Sequence, residues 1–238
     1  MKLSIIIPVF NEEKTILEML RRVQDIKISG VEKEIILVND GSSDSTGSAL
    51  ETFSRSKPNI KIINHSINQG KGAAVRTGIK NATGDYVVIQ DADLEYDPKD
   101  IERLVKPILE GKNSVVYGTR LKRLPNLFKE ERTSQFLLHY LGNRFLSLLT
   151  SILYGQWITD METCYKLFPR RVVEGMKINA KGFEFEPEIT AKLLKRGYKI
   201  LEIPISTKPR GYNEGKKLNT FRDGIKALWT LLKYRFID

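Results

Sequence analysis

Short apolar segments alternate with amphipathic ones along the first 120 residues of the chain. The apolar segments are rich in Ile and Val and predict β-strands, at residues 2–8, 34–38, 60–64, 85–91 and 114–117. Helical spacing of Ile16, Leu17, Leu20 and Val23 predicts a helix after the first strand, and further helices are expected before residue 82 and over residues 98–110. This alternation predicts an α/β fold with a doubly wound, mostly parallel central sheet.

The regular alternation ends after Arg120. Residues 136–153 are apolar over roughly the length that spans a bilayer, but His139, Asn143 and Arg144 interrupt them and argue against a transmembrane helix. Such a helix packs in a core, lies at a membrane surface or forms a dimer contact. Without repeats or low-complexity linkers, residues 1–217 are expected to form one compact domain. Its remaining elements are a strand, a helix, a strand and a loop, at residues 164–168, 186–195, 199–204 and 210–217.

The last segment, residues 218–238, predicts a basic amphipathic helix. Apolar residues recur there at helical spacing with cations between them, namely Phe221, Ile225, Leu228, Trp229 and Leu232 with Arg222, Lys226, Lys233 and Arg235. A helix of this kind can lie in the headgroup region of an anionic membrane, where each nearby cation adds about 1 kcal/mol of attraction. It can equally pack on the sheet as an ordinary terminal helix.

Composition and charge narrow the class of protein. The 238 residues are 41% hydrophobic and 29% charged, as in an ordinary globular protein. Lys and Arg number 39 against 29 Asp and Glu, and the net charge of +10 favours anionic partners such as nucleic acid, phosphorylated substrates or anionic membranes. The single cysteine, Cys164, excludes an internal disulfide, and no signal peptide is apparent. We therefore expect a cytoplasmic protein.

Polar residues follow the predicted strands at their C-terminal ends. In open α/β sheets ligands bind at that edge, so Pro8, Asp40, Asp91 and Arg120 should converge on one crevice. Asp91 and Asp93 lie two residues apart after the central strand and can both meet one ion. Hard cations such as Mg²⁺ or Mn²⁺ are held by one or two carboxylates together with phosphate oxygens. The alternative is that the two aspartates only cap the following turn and helix.

Five motifs follow one another in order along the chain. They are Pro8-Val9-Phe10-Asn11-Glu12, Asn39-Asp40-Gly41-Ser42-Ser43-Asp44, Gln69-Gly70-Lys71-Gly72, Asp91-Ala92-Asp93 and Gly118-Thr119-Arg120. Together they resemble the inverting GT-A glycosyltransferases of family 2, above all the branch of dolichyl- and polyprenyl-phosphate mannose and glucose synthases. The resemblance implies a GT-A fold, a nucleotide-diphosphate sugar such as GDP-mannose or UDP-glucose as donor, and a polyprenyl phosphate as acceptor.

The resemblance also assigns roles to individual residues. It implies that Asp91 and Asp93 bind Mg²⁺ or Mn²⁺ and the donor diphosphate, with Glu95 at a position where relatives often have a Gln ligand. Lys71 should lie near the donor nucleotide. The base and ribose are expected to contact four residues of the first two motifs, namely Pro8, Phe10, Glu12 and Asp40.

A phosphate acceptor changes what the site must supply. A lipid phosphate is already largely ionised near neutrality, so it can attack without giving a proton to a side chain. It needs cations instead, and the available candidates are Arg120, Arg132, Arg210 and Lys217. Arg120 is therefore counted with Asp91 and Asp93 among the catalytic residues. We expect the protein to work as a peripheral enzyme at the cytoplasmic face of a membrane, or with a membrane-anchored partner subunit.

Other functions predict different features. A glycosyltransferase acting on a sugar hydroxyl, as in cell-surface polysaccharide synthesis, needs a side-chain base, for which Asp160 is the first candidate. A nucleotidyltransferase should have a Gly-rich loop with a basic residue directly after the first strand, which Pro8-Val9-Phe10-Asn11-Glu12 is not. A noncatalytic basic binding module should interleave aromatic residues with a basic stripe, whereas the basic residues here are scattered, so nucleic acid is not an expected partner.

Overall fold

The computed structural model describes residues 1–120, 134–208 and 220–237. In chain order the elements of these residues are β1 (Lys2–Val9), α1 (Ile16–Asp25), β2 (Glu32–Asn39), α2 (Thr46–Ser54), β3 (Ile60–Asn64), α3 (Lys71–Asn81), β4 (Tyr86–Ile89), α4 (Asp100–Leu109), β5 (Val115–Thr119), α5 (Ser134–Tyr154), β6 (Lys166–Pro169), α6 (Arg170–Val173), α7 (Phe185–Lys195), β7 (Ile200–Pro204) and α8 (Thr220–Phe236). The predicted α/β alternation of the first half is confirmed, with α2 as an additional helix.

The strands form one seven-stranded sheet in the order β3-β2-β1-β4-β6-β5-β7. Strands β1 to β4 pair in parallel, as do β5 and β7. Strand β6 is antiparallel to both of its neighbours, β4 and β5. The sheet is therefore mostly parallel, as predicted, with one antiparallel strand from the second half of the chain placed between β4 and β5.

The core lies on both faces of the inner strands. Strand β1 is fully buried at neighbouring positions that point to both faces of the sheet, namely Leu3, Ile5, Ile6 and Ile7. Such burial is typical of a parallel strand covered by helices on both sides. Helix α1 contributes its predicted apolar face to this core, with Ile16, Met19, Leu20 and Val23 buried.

The strand register fixes the edge at which the polar residues gather. Val9 at the end of β1 pairs with Asn39 at the end of β2, and Ile6 pairs with Ile89 at the end of β4. These parallel strands therefore end at the same edge of the sheet. The segments that follow them, which begin near Phe10, Asp40 and Gln90, start side by side.

Helix α8 packs against α7 and α5 along one face. Ala227, Leu231 and Tyr234 are buried there, and the Tyr154 hydroxyl of α5 donates a hydrogen bond of 2.7 Å to the Leu231 carbonyl. The outer faces of α5 and α8 are exposed and carry large apolar side chains, among them Leu138, Leu141, Phe145, Leu148 and Ile152 on α5 and Phe221, Ile225, Trp229 and Phe236 on α8. We call these nine side chains the outer apolar surface.

Within the described residues, no helix can cross a membrane. In the described parts of the chain, α5 and the other helices fall short of the combination of length and apolar character that crossing a bilayer requires.

Candidate active site

A cavity of about 420 Å³ lies at the C-terminal edge of the parallel strands. Its walls bring together every predicted site residue that lies within the described residues, namely Pro8, Phe10, Glu12, Asp40, Lys71, Asp91, Asp93, Glu95 and Arg120. Three further predicted residues, Arg132, Arg210 and Lys217, lie outside the described residues. The convergence predicted from the strand ends is therefore present in the structure.

Hydrogen bonds join the loop after β1 to the loop after β2. The Asn11 side-chain oxygen accepts a bond of 2.9 Å from the Ser43 N–H, and the Glu12 N–H donates one of 2.9 Å to the Thr46 hydroxyl. Asn11 adopts a left-handed backbone conformation with φ of 49°, which Asn tolerates better than most residues. These contacts hold Phe10 and Glu12 beside the segment that carries Asp40.

Asp40 is buried and joins β2 to the loop before α3. One carboxylate oxygen accepts the Gln69 N–H at 3.0 Å, and the other accepts the Gly70 N–H at 2.8 Å. His65 contacts the same carboxylate through Nδ1 at 2.7 Å, and its Nε2 lies 2.9 Å from the Thr77 hydroxyl. The sequence indicates no partner for His65, and the structure gives it two. Asp40 therefore positions the loop that leads to Lys71 while lining the cavity.

Lys71 connects two carboxylates at the centre of the cavity. Its ammonium lies 2.9 Å from an Asp91 carboxylate oxygen and 3.0 Å from one of Glu186. Burial disfavours the ammonium, but Asp91 and Glu186 together raise the pKa of Lys71 well above its usual value. Glu186 lies in the first turn of α7, where helix-dipole compensation alone explains an acidic residue. For that reason its contact with Lys71 is not apparent from the sequence.

Close backbone packing holds the segment just before α7 against the start of α3. A Cβ on Gly72 would lie 2.8 Å from the Gly182 carbonyl oxygen, and one on Gly70 would collide with the Lys181 carbonyl. Gly70 also has a φ of 96°, a conformation that favours glycine. The glycines on either side of Lys71 therefore permit the approach that brings Glu186 to it.

Asp93 and Glu95 line the cavity on the turn after β4. Leu94 between them has a φ of 63°, which is rare for a non-glycine residue and is the kind of strained backbone that gathers at functional sites. The Glu95 N–H donates a hydrogen bond of 3.0 Å to Asp93. The turn thus holds two carboxylates beside Asp91.

The donor set fits a metal shared with a ligand. In the described parts of the chain, no three His, Cys, Asp or Glu side chains are placed to hold a metal ion by themselves. Mg²⁺ is usually bound by one or two carboxylates together with phosphate oxygens and water. Asp91 and Asp93 supply such carboxylates in a cavity large enough for further oxygen ligands. Glu95 does not complete an all-protein metal cage.

Arg120 is held in place by Asp160. Its Nε and Nη2 donate hydrogen bonds of 2.8 and 2.7 Å to the two Asp160 oxygens, and its backbone N–H donates another of 2.8 Å. Burial opposes the Asp160 charge, but Arg120 lowers the pKa of Asp160 below its usual value. Asp160 is therefore an ion-pair partner that fixes the orientation of the guanidinium.

Two further carboxyl groups, Glu162 and Glu186, reach the cavity from elements of the second half of the chain. Burial and the neighbouring Glu186 raise the pKa of Glu162 to about 8. Lys166, buried below them, donates to the Met161 and Thr163 carbonyls, and burial lowers its pKa. The sequence offers no motif that separates Glu162 and Glu186 from ordinary surface or helix-start glutamates.

The mouth of the cavity reaches α5 and α8. His139 and Asn143 of α5 line it, together with Arg222 and Lys226 of α8. Both cations of α8 are exposed. The cavity therefore opens next to the outer apolar surface. By contrast, Cys164 lies in the wall as a buried free thiol whose pKa is raised by burial and by Asp91, consistent with the packing role expected from its isolation.

Residues 4–176 match the family described as Glycosyl transferase family 2. A dolichol-phosphate mannosyltransferase of Pyrococcus furiosus is 30% identical over 241 residues, covering 98% of this chain and 64% of that protein. A dolichyl-phosphate beta-glucosyltransferase of Trichomonas vaginalis is 31% identical over 215 residues, covering 85% of this chain and 64% of that protein. The chain thus spans slightly less than two thirds of each of these two relatives. An uncharacterized protein of Methanocaldococcus jannaschii, 29% identical, is matched over 91% of its length.

Solved structures share the fold. The glucosyl-3-phosphoglycerate synthase of Mycobacterium tuberculosis, in complex with Mn²⁺, uridine-diphosphate and glucosyl-3-phosphoglycerate, superposes with a TM-score of 0.74 at 19% identity. The alignment covers 100% of this chain and 81% of that one. The same enzyme in complex with Mg²⁺ and uridine-diphosphate gives a TM-score of 0.74. The mostly parallel seven-stranded sheet is thus that of the GT-A fold, and the chain belongs to glycosyl transferase family 2.

Proposed function

We propose that this glycosyltransferase transfers a hexose, mannose or glucose, from a nucleotide-diphosphate sugar to a polyprenyl phosphate, with Mg²⁺ or Mn²⁺ as cofactor and inversion at the sugar carbon. The observation that carries the proposal is the meeting of Asp91, Asp93 and Lys71 in one cavity with Arg120. Two relatives with matching sequences are named as dolichyl-phosphate mannosyl- and glucosyltransferases.

The nucleotide occupies the part of the cavity between the first two strand ends. Pro8, Phe10 and Glu12 line one side and Asp40 the other, and the loop-to-loop hydrogen bonds hold the two sides together. An aromatic ring at Phe10 offers a surface against which a base can pack. These contacts lie away from the reacting carbon, so they contribute to binding more than to the rate of the bound complex.

The donor diphosphate lies at Asp91, Asp93 and Lys71. A divalent cation bound to the two aspartates stabilises the negative charge that grows on the leaving diphosphate. Lys71 already carries its positive charge next to Asp91, so its ammonium is placed to contact a phosphate oxygen. Glu95 lies on the same turn and orients Asp93 through the Glu95 N–H.

The acceptor phosphate is met by cations and needs no base. Arg120 lines the cavity with its guanidinium fixed by Asp160, and Arg222 and Lys226 stand at the mouth. We propose that three predicted cations also bind the acceptor phosphate. They lie outside the described residues and are Arg132, Arg210 and Lys217. Asp160, the base that a hydroxyl acceptor would require, has a lowered pKa and is bound by Arg120 through both oxygens. This favours a phosphate acceptor over a sugar hydroxyl.

The membrane supplies such an acceptor, so we propose that the enzyme acts peripherally at the cytoplasmic face of a bilayer. The outer apolar surface of α5 and α8 supports this, because it lies beside the mouth of the cavity and is bordered by exposed cations such as Arg222, Lys226 and Lys233. Direct membrane contact makes a separate membrane-anchored subunit unnecessary.

The test is a donor screen with Asp91→Asn as the decisive variant. Wild-type protein, incubated with Mg²⁺ and either GDP-mannose or UDP-glucose, should release nucleotide only when a short polyprenyl phosphate is added. Asp91→Asn should lower this release by about 100-fold or more, since it weakens both the metal site and the Lys71 contact. The matched control is Asp97→Asn in the segment before α4, whose side chain accepts the exposed Lys99 N–H at 3.1 Å.

Three outcomes would contradict the proposal. Full activity of Asp91→Asn in EDTA would remove the metal assignment. Efficient transfer to a sugar hydroxyl, without transfer to any polyprenyl phosphate, would overturn the acceptor. Absence of binding to any nucleotide-diphosphate sugar would overturn the reaction itself.

A further inference from the structure

Two buried carboxyl oxygens without a hydrogen-bond partner belong to cavity-lining residues from the second half of the chain. Across the residues that the structure describes, three buried side-chain oxygens have no hydrogen-bond partner, and they are Glu162 Oε1, Thr163 Oγ1 and Glu186 Oε2. Both glutamates line the cavity. A buried polar atom without a partner costs about 1–3 kcal/mol, so a protein that keeps two in one cavity favours a ligand that satisfies them.

Glu186 lies next to the expected position of the diphosphate. Its other oxygen, Oε1, binds the Lys71 ammonium at 3.0 Å, and the same ammonium binds Asp91 at 2.9 Å. The Glu186 side chain is 4% exposed. The Lys71 ammonium thus lies between Asp91, at the expected position of the diphosphate, and Glu186, whose Oε2 has no hydrogen-bond partner. The diphosphate of the donor carries the nucleoside at one end and the sugar at the other, and the nucleoside is proposed to lie at the loops after β1 and β2, so the sugar is the group left to reach Glu186.

The chemistry of the pair favours a neutral polyol. The pair offers no positive charge to bind the phosphate groups of donor or acceptor, and the described residues contain no third ligand that would make the pair a metal site. Burial and the neighbouring Glu186 raise the pKa of Glu162, which favours its protonated form. A protonated carboxyl both donates and accepts hydrogen bonds, as a sugar hydroxyl does.

We infer that Glu162 and Glu186 are the residues that recognise the hydroxyl groups of the donor sugar, with Glu162 Oε1 and Glu186 Oε2 each bonded to one hydroxyl. The inference rests on the proposed function and adds to it a site for sugar specificity. A site built to bond a hydroxyl discriminates strongly against an analogue that lacks it, because its buried polar groups are then left unpaired. The pair therefore sets which hexose the enzyme accepts.

Binding measurements separate sugar recognition from nucleotide recognition. Dissociation constants are measured by titration calorimetry with Mg²⁺ for UDP, UDP-glucose, GDP and GDP-mannose. For the donor that wild-type protein prefers, Glu162→Ala and Glu186→Ala should weaken binding of the sugar nucleotide by about 10-fold or more. Binding of the corresponding nucleoside diphosphate should change by less than about threefold for Glu162→Ala, which does not touch Lys71. Glu174→Gln is the control, because its side chain is exposed, does not line the cavity and pairs with Arg170.

Deoxy analogues of the preferred donor identify the contact even where an alanine variant is poorly folded. Wild-type protein should bind the analogue lacking the bonded hydroxyl about 10-fold more weakly than the parent. Glu162→Gln should keep this difference, because its amide also donates and accepts hydrogen bonds, and Glu162→Leu, which has no polar side-chain atom, should lose it. Parallel losses for sugar nucleotide and nucleoside diphosphate in Glu162→Ala, or variants at both positions that bind the sugar nucleotide like wild type, would overturn the inference and leave the proposed function intact. If wild-type protein binds none of the four nucleotides, both are overturned.

Discussion

Asp40 illustrates how one side chain can serve the fold and the site together. Its carboxylate accepts two backbone N–H groups from the loop before α3 and contacts His65, all from positions at least 25 residues away in sequence. Lys71 follows that loop directly, so the carboxylate that lines the part of the cavity proposed for the nucleotide also positions Lys71, the proposed diphosphate contact. Changes at Asp40 should therefore affect stability as well as binding.

Asp40→Asn is expected to lower the free energy of unfolding by about 1–3 kcal/mol, because an amide has one acceptor oxygen and turns its NH₂ group towards a backbone N–H. Nucleotide affinity should fall with it, and the rate of the bound complex should fall less. Urea unfolding and titration with UDP and GDP measure the two effects. Asp85→Asn is the control, since Asp85 accepts a single exposed N–H from Lys2. Unchanged stability together with unchanged nucleotide affinity would contradict both roles.

Site residues could be predicted from the sequence where they directly follow a predicted strand. Asp91 and Asp93 follow a buried run, and the register of the parallel strands β1, β2 and β4 brings Asp40 to the same cavity. Arg120 also lines this cavity but follows β5, which is joined to β4 through the antiparallel β6. Partners that come from distant segments were not predictable. His65 looks isolated in the sequence, and Glu186 looks like a helix-start residue, because contacts with Asp40 and Lys71 depend on packing across the sheet edge.

At the scale of elements, Glu34 of β2 joins three segments at the opposite end of the sheet. Its carboxylate accepts the Ser4 hydroxyl of β1 at 2.5 Å and the Thr83 N–H and hydroxyl at 2.6 Å each. Burial disfavours the charge, but the hydrogen bonds from Ser4 and Thr83 lower the pKa of Glu34 to about 2. These hydrogen bonds hold the turn before β4 against β1 and β2.

The contribution of Glu34 to stability should depend on pH. Its folded pKa lies below the ordinary glutamate value of about 4.3, so the folded state binds this proton less tightly than the unfolded chain does. The stabilisation is therefore complete above about pH 5 and is lost as the pH falls towards 2. Glu34→Gln should lower the free energy of unfolding by about 1–2 kcal/mol near pH 7.

Urea unfolding at about pH 7 and about pH 3 tests this dependence. The difference between wild type and Glu34→Gln should narrow at the lower pH, whereas Glu51→Gln on the exposed side of α2 should match wild type at both. A difference that stays constant across this range would show that the carboxylate charge is not what stabilises the turn.

Most elements were predictable from their apolar periodicity, and the exceptions have physical reasons. Helix α2 buries only Thr46 and Leu50, so its sequence lacks the regular apolar spacing that would predict an amphipathic helix. Strand β6 was expected as a strand, but its antiparallel place between β4 and β5 was not. The apolar pattern of a buried strand shows that the strand is buried, but not whether it runs parallel or antiparallel to its neighbours. The position of β6 in the sheet therefore cannot be derived from its sequence pattern.

At the scale of the whole molecule, the outer apolar surface and the cavity mouth lie side by side. Phe145 of α5 and Trp229 of α8 are 57% and 67% exposed, and Lys226 of α8 lines the cavity. A lipid phosphate held in a bilayer below this surface would meet cations before it reaches Arg120. This arrangement supports the proposed membrane contact and the proposed entry of the acceptor from the bilayer.

Sedimentation with vesicles tests this arrangement. The double variant with Phe145→Ser and Trp229→Ser should bind vesicles of anionic phospholipid about 10-fold or more weakly than wild type, because two large apolar side chains no longer enter the interface. Higher salt should weaken the wild-type association, since screening shortens the reach of the exposed cations. Ile67→Ser is the matched control, as Ile67 is 68% exposed in the loop between β3 and α3. Equal sedimentation of all three proteins would exclude a membrane role for these helices.

The antiparallel strand also has a consequence for how the chain folds as it is made. Strands β4 and β5 are complete by residue 119, yet they do not pair with each other, and both wait for β6 at residues 166–169. Until that segment leaves the ribosome, β4 has an uncovered edge that could pair with another chain. The link between β4 and β5, and with it the wall that carries Glu162, can form only after residue 169 has been synthesised. The site is therefore assembled late, from an N-terminal half that can take shape early.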